Sequence, residues 1–251
     1  EIRRLISSGV ALARDPASIV VVGKVALHSG SDPKDVLNRI FLIAEKADPK
    51  LRDTYLARGE LALEKSDFEL AAKAYSAGLE HHPEDADLWC GLAQALLGSD
   101  RPRAMEALES ALKANPHHLP SLLILADHSI DAEDYSQAEK LLAEVEKVNR
   151  HHPDVWSYRA VLAHLRHDVA AEVKARETGL AVWTNNPAVD HLIGRKLSQK
   201  YRFTEGADHQ RAALKMDPAH LGAQLQLAGD LLRLGDEEGW TLAQEVYRRD
   251  A

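Results

Sequence analysis

The chain is 251 residues long, nearly half hydrophobic yet only 5% aromatic, with a net charge of −8 at pH 7. That balance excludes a general nucleic-acid binder, which needs a basic footprint to displace phosphate counterions. A single cysteine, Cys90, excludes an intrachain disulfide and a multi-cysteine zinc site.

Residues 2–14 read as the second helix of a pair whose first helix is missing. The longest apolar run, Ile19 to Leu27, is interrupted by Lys24 and falls far short of the roughly 20 residues that cross a bilayer, so no membrane insertion is expected. Proline-bearing turns then recur at Asp15-Pro16, Asp48-Pro49, His82-Pro83, Asn115-Pro116, His152-Pro153, Asn186-Pro187 and Asp217-Pro218, in steps of 33, 34, 33, 37, 34 and 31. A second ruler is more regular. Small residues stand at Gly23, Gly59, Ala93, Ala126, Ala160, Gly194 and Ala228, in steps of 36, 34, 33, 34, 34 and 34. A period of that length, held over seven units, is the mark of a repeat array.

Each unit predicts two helices. In the second unit, residues 55–64 carry the first helical pattern, and Ser66-Asp-Phe-Glu69 has the form of a capping box. Ala71, Tyr75, Gly78 and Leu79 then share one helical face. Proline is tolerated in the first turn of a helix and not in its interior, so the proline turns separate units. The recurring small residue lets two helix backbones approach closely. The long steps around the fourth and fifth units predict a longer second helix or turn there. Glu172 and Arg176 in the fifth unit, and Leu37 in the first, stand where smaller or aromatic residues fit the pattern.

The third unit, with Trp89, Leu92, Ala93, Leu96, Ala104, Leu108, Ala111 and Pro116, carries the fullest motif. The fourth adds Leu122, Leu125, Ala126, Tyr135, Ala138 and Leu142, and the sixth Ile193, Gly194, Leu197, Phe203, Gly206, Ala213 and Pro218. These residues resemble the tetratricopeptide repeat (TPR) family. The resemblance implies an all-α, right-handed superhelical solenoid of antiparallel helix pairs, about seven units after a leading helix. A single solenoid over 1–251 is expected: a trailing helix of a truncated repeat at 1–15, then repeats near 16–48, 49–82, 83–115, 116–152, 153–186, 187–217 and 218–251. It is also expected to be a piece of a larger bacterial protein of the family.

The family implies a non-catalytic scaffold that holds a protein or peptide segment in a concave groove lined by the first helices. By that resemblance the groove residues are Asp53, Glu60, Glu64, Asp87, Gln94, Asp127, Asp131, His164, His191, Arg195 and Gln199. The centre of that set is acidic and its flanks, with Lys24, His28 and Arg233, are basic, which suits a partner carrying a basic segment. The chain's asparagines avoid the inward positions, which argues against clamping of a chaperone's C-terminal carboxylate. The alternative is a regulatory or substrate-docking arm of a larger enzyme, glycosyltransferase-like or peptidase-like. Self-association through uncapped ends is a further expectation.

No His-Glu-x-x-His, glycine-rich phosphate loop or Gly-x-Ser-x-Gly elbow is present, so no catalysis and no cofactor is expected. The doublets His81–His82, His117–His118 and His151–His152 fall in turns between units and read as solvated turn residues rather than metal ligands. His164 and His167 have the better spacing for a metal but no accompanying carboxylate or thiolate set. Cys90 reads as a quietly packed thiol.

Overall fold

A computed structural model of the protein describes residues 15–250, with side chains to Arg248. The leading helix expected before Asp15 lies outside these residues. All the regular structure described is helical: α1 (Pro16–His28), α2 (residues 33–47), α3 (Arg52–Glu64), α4 (Phe68–His81), α5 (Ala86–Leu96), α6 (Arg101–Ala114), α7 (Leu119–Asp131), α8 (Tyr135–Val148), α9 (Pro153–Leu165), α10 (Val169–Leu180), α11 (Pro187–Gln199), α12 (Phe203–Met216), α13 (Leu221–Arg233) and α14 (Glu238–Asp250). Helix α2 is irregular, with a π-helical stretch Val36–Phe41 between Pro33–Asp35 and Leu42–Ala47. The chain divides between Ser121 and Leu122 into two compact units, each built from successive helix pairs.

The first helices of the pairs begin at 16, 52, 86, 119, 153, 187 and 221. Their spacing reproduces the small-residue ruler and not the proline one. The reason is where each proline sits. Pro16, Pro153 and Pro187 are the first residues of their helices, whereas Pro49, Pro83, Pro116 and Pro218 lie about three residues upstream in the turn. The expected lengthening of the fourth unit is therefore corrected: α8 has 14 residues, the same as α4 and α6. In the fifth unit the extra residues lie in the connection after α10, which itself has only 12.

Helix starts are capped mostly by aspartates. Asp15, Asp67, Asp85, Asp100, Asp134 and Asp168 each accept a hydrogen bond from a backbone N–H three residues on. The capping box expected at Ser66 is accordingly corrected. Asp67 is the cap, Glu69 pairs with Lys73, and Ser66 has φ 58°. That left-handed conformation recurs at the same point of six of the seven pairs: Gly30, Ser66, Glu133, His167, Tyr201 and Gly235. It turns the chain sharply enough for the second helix to run back along the first.

Two devices fix how neighbours pack. In four of the seven pairs the fourth residue of the first helix carries a polar hydrogen at the end of a large side chain. The donors Tyr55 Oη, Trp89 Nε1, Trp156 Nε1 and Gln224 Nε2 reach the carbonyls of Pro49, Pro83, Arg150 and Pro218, six residues upstream each time. Each tethers a helix start to the preceding turn, and a net hydrogen bond of this kind contributes about 1 kcal/mol.

The second device is close approach at slim residues. A Cβ added to Gly59 or to Gly91 would lie 2.3 Å from Tyr75 Cζ, so the Tyr75 ring is held between α3 and α5. Phe41 fills the same role against Gly23. Ala93, Ala126 and Ala160, from the same ruler, are fully buried.

The inner positions of the first helices

The residues that the resemblance assigns to a groove all lie on first helices or their first turns, as the register requires. The structure gives every carboxylate among them a cation from the same chain. Glu60 binds Lys24 Nζ at 3.0 Å, Glu64 binds Lys65 at 2.9 Å, and Asp53 lies 3.5 Å from the Arg52 guanidinium. Arg52 also forks between Asp85 and Asp87. Asp87 takes a second partner, His118 Nε2, at 3.0 Å. Gln94 and Gln199 are exposed.

In the second of the two compact units, from Leu122 on, the compensation is tighter. Lys196, on α11, is fully buried, and its Nζ stands 3.0 Å from Asp127 and 2.6 Å from Asp131, both on α7. Lys200 adds a bond from Nζ to the Asp131 carbonyl at 3.0 Å. Tyr158 donates its phenolic hydrogen to Asp127 at 3.0 Å. Burial, with Asp127 beside it, holds that phenol well above its ordinary pKa, so it stays a donor. The expectation of an acidic centre open to a basic segment is thus revised. An ammonium shielded from water interacts with its carboxylates far more strongly than an exposed pair does. Lys196 escaped the sequence reading because it stands at none of the inward positions taken from the family.

His164 belongs to a second polar network. Its Nδ1 lies 3.0 Å from Glu172, whose other oxygen is 3.7 Å from His209; His209 Nδ1 reaches fully buried Asp190 at 2.8 Å, and Arg176 clasps Asp190 with two bonds of 2.6 Å. Burial pushes the Asp190 carboxyl up, but the His209 and Arg176 hydrogen bonds together outweigh it and hold its pKa below the ordinary range. Asp190 stands at the fourth position of α11, where other pairs carry Tyr55, Trp89 or Trp156. Of the odd residues of the fifth unit, Arg176 binds Asp190 directly and Glu172 is linked to it through His209. Here a satisfied polar contact replaces an aromatic one.

The histidine doublets are not uniformly solvated. His81, His117 and His151 are exposed, but the second member of each pair is engaged. His82 Nε2 meets the Lys50 carbonyl at 2.7 Å, and His152 caps α9 by accepting from Asp154 N–H. His118 is buried between Ser121 and Asp87. Among the described residues no three His, Cys, Asp or Glu side chains converge to hold a metal ion. Cys90 is buried, and burial pushes its thiol pKa up, which leaves it a poor nucleophile. No described helix is long and apolar enough to cross a membrane.

One of the clefts that stay open in the second compact unit, of about 360 Å³, lies over α11 and α13. Arg195, His191 and Arg233 supply its polar wall, Gly222 and Gly229 keep its floor low, and Leu225 is half exposed within it.

The helix-pair repeat and its slim contact residues have a counterpart among known families: two tetratricopeptide repeat models match the chain, at residues 56–118 and 99–162. The chain is a tetratricopeptide repeat protein. The TPR fold extends well beyond the matched span. A tetratricopeptide repeat protein from Parabacteroides merdae has a TM-score of 0.65 at 11% identity, covering 94% of this chain and 93% of that one. Yeast Tom70 gives 0.59 at 17% identity, over 92% of this chain and 49% of that one. A chain of the APC/C hetero-tetramer Cut9-Hcn1 gives 0.63 at 16%, over 92% and 44%. At these identities the likeness is one of fold. In sequence, the human cilia- and flagella-associated protein 70 is 37% identical over 73 residues, 29% of this TPR chain. The chain spans only 6% of that relative's length.

Proposed function

We propose that this TPR chain is a protein-interaction scaffold that receives a segment of another protein along the exposed face of its first helices. The observation that carries the reading is the division of labour within the repeat. Slim residues such as Gly59, Ala93, Ala126 and Ala160 are buried against neighbours, while a cleft bearing Arg195, Arg233 and Leu225 remains open on the first helices of the second unit. Burying contacts between neighbours leaves an extended surface whose side chains are free for a partner. The Cut9-Hcn1 neighbour is, by its description, part of a hetero-tetramer, and a role in assembly of that kind fits a chain whose reactive groups are engaged in packing. The alternative reading is a docking arm of a larger enzyme. It uses the same face.

Site-specific photo-crosslinking tests the reading. A benzophenone amino acid at Leu225, on a first helix, is expected to capture a discrete partner in cells. The same probe at Val173, which is half exposed on second helix α10, is expected to capture none. Equal capture at both, or capture at Val173 alone, overturns the assignment of the binding face.

A further inference from the structure

The cleft over α11 and α13 has a chemistry that the sequence reading did not assign. Its lining contains two guanidinium groups and an imidazole but no carboxylate. The acidic residues nearest to it are already engaged. Asp127 is bound by Lys196 and Tyr158 and stands 4.0 Å from Arg195, at the limit of an ion pair. Buried Asp190 is clasped by Arg176 and His209. Asp230 accepts from Ser198 and from Gln226, and burial holds its pKa above the ordinary carboxylate value although those bonds and the Arg233 charge oppose it.

The cations, by contrast, are under-used. Arg195 Nε is buried without a hydrogen-bond partner. Arg233 spends one N–H on the Gly229 carbonyl, lies 5.6 Å over the Phe203 ring and acts on Asp230 through its charge. His191 turns Nδ1 to Gln210 at 2.8 Å, and its Nε2 faces Gly222 at the cleft floor. Burial lowers the His191 pKa, and the nearby His220 and Arg195 add to that despite the Gln210 bond. The His220 ring packs against it, with centroids 4.8 Å apart and planes tilted by 50°.

We propose that this cleft binds an acidic segment of a partner protein, with Arg195 and Arg233 holding its side-chain carboxylates and half-exposed Leu225 covered by an apolar residue between them. The inference rests on the scaffold reading and names the partner's chemistry, opposite in sign to the basic segment that the residue types alone suggested. Planar guanidinium groups favour carboxylates through paired, directional bonds. The net charge of −8 disfavours a long polyanion, so a short acidic stretch with apolar residues in it is the matching occupant.

The test uses a blocked hexapeptide, acetyl-EELEEL-amide, titrated into the protein by calorimetry or fluorescence anisotropy at low and moderate salt. The Glu peptide is expected to bind, to weaken as salt rises, and to bind at least tenfold more weakly to the double variant Arg195→Gln with Arg233→Gln. Arg159→Gln, on α9 and outside the cleft, is expected to leave binding unchanged. The proposal is overturned if the Gln-for-Glu or Lys-for-Glu peptide binds as well, if the double variant binds equally, or if the Glu peptide does not bind at millimolar concentration. A peptide with neutral side chains and a free C-terminus that binds as tightly would show that a terminal carboxylate, not side chains, is the ligand, and would also overturn it. Circular dichroism confirms that the variants are folded. Crosslinking at Leu225 without peptide binding would leave the scaffold reading standing and reject the acidic segment alone.

Discussion

Lys196 on α11 places its ammonium within 3.0 Å of Asp127 and 2.6 Å of Asp131, two carboxylates one helical turn apart on α7. It skips over α9 in chain order, so it couples the first helices of the fourth and sixth pairs. Removing the charge leaves two carboxylates facing each other, with Arg195 at 4.0 Å from Asp127 as the remaining cation. Lys196→Met is expected to destabilise the protein by about 3 kcal/mol, at the low end for a broken buried pair because the aspartates keep some access to water. Chemical denaturation checks the value. Asp127→Asn added to Lys196→Met is expected to recover part of the loss.

Asp230 yields a prediction about pH. Burial raises its folded pKa above the ordinary value, with the Ser198 and Gln226 hydrogen bonds only partly opposing it. An acid whose folded pKa is raised favours the folded state fully below its unfolded pKa, and that contribution is lost as pH rises through the folded pKa. Asp230→Asn is therefore expected to stabilise the protein at neutral pH, with the gain shrinking towards pH 3. Melting curves across that range check it; a gain that grows as pH falls would be the wrong sign.

The turns inside the pairs offer a third prediction. His167 has φ 60° and is exposed, so its side chain pays a steric cost in the left-handed region without packing in return. His167→Gly is expected to raise stability by up to about 1 kcal/mol. His167→Val, with a branched Cβ, is expected to lower it. Thermal denaturation of both variants settles the order.

Much of this was legible in the sequence because it depends on residue size at a fixed spacing. The small residues that set the ruler mark the true helix starts, since close backbone approach tolerates no substitute. Prolines mislead by a few residues because either the turn or the first helical position accommodates them. The site was less legible. Residue types place charges on a face, yet which charges remain available depends on contacts far apart in the chain. Lys196 reaches Asp131 across 65 residues, and Arg176 reaches Asp190 from the preceding pair. The engaged second histidines of two doublets were hidden for the same reason: His82 finds the Lys50 carbonyl and His118 finds Asp87 from the previous repeat.

The most direct measurement of the central claim, that paired helices stack because slim residues admit a neighbour's side chain, concerns Gly59 and Gly91 on either side of the Tyr75 ring. In a helix interior Gly→Ala ordinarily stabilises by about 1 kcal/mol. Here the added methyl meets the ring at 2.3 Å, and overpacking of that kind costs about 1–3 kcal/mol. Gly59→Ala and Gly91→Ala are each expected to lower the melting temperature, and the double variant to lose less than their sum because one displaced ring relieves both clashes. A rise in melting temperature for both single variants would contradict the account.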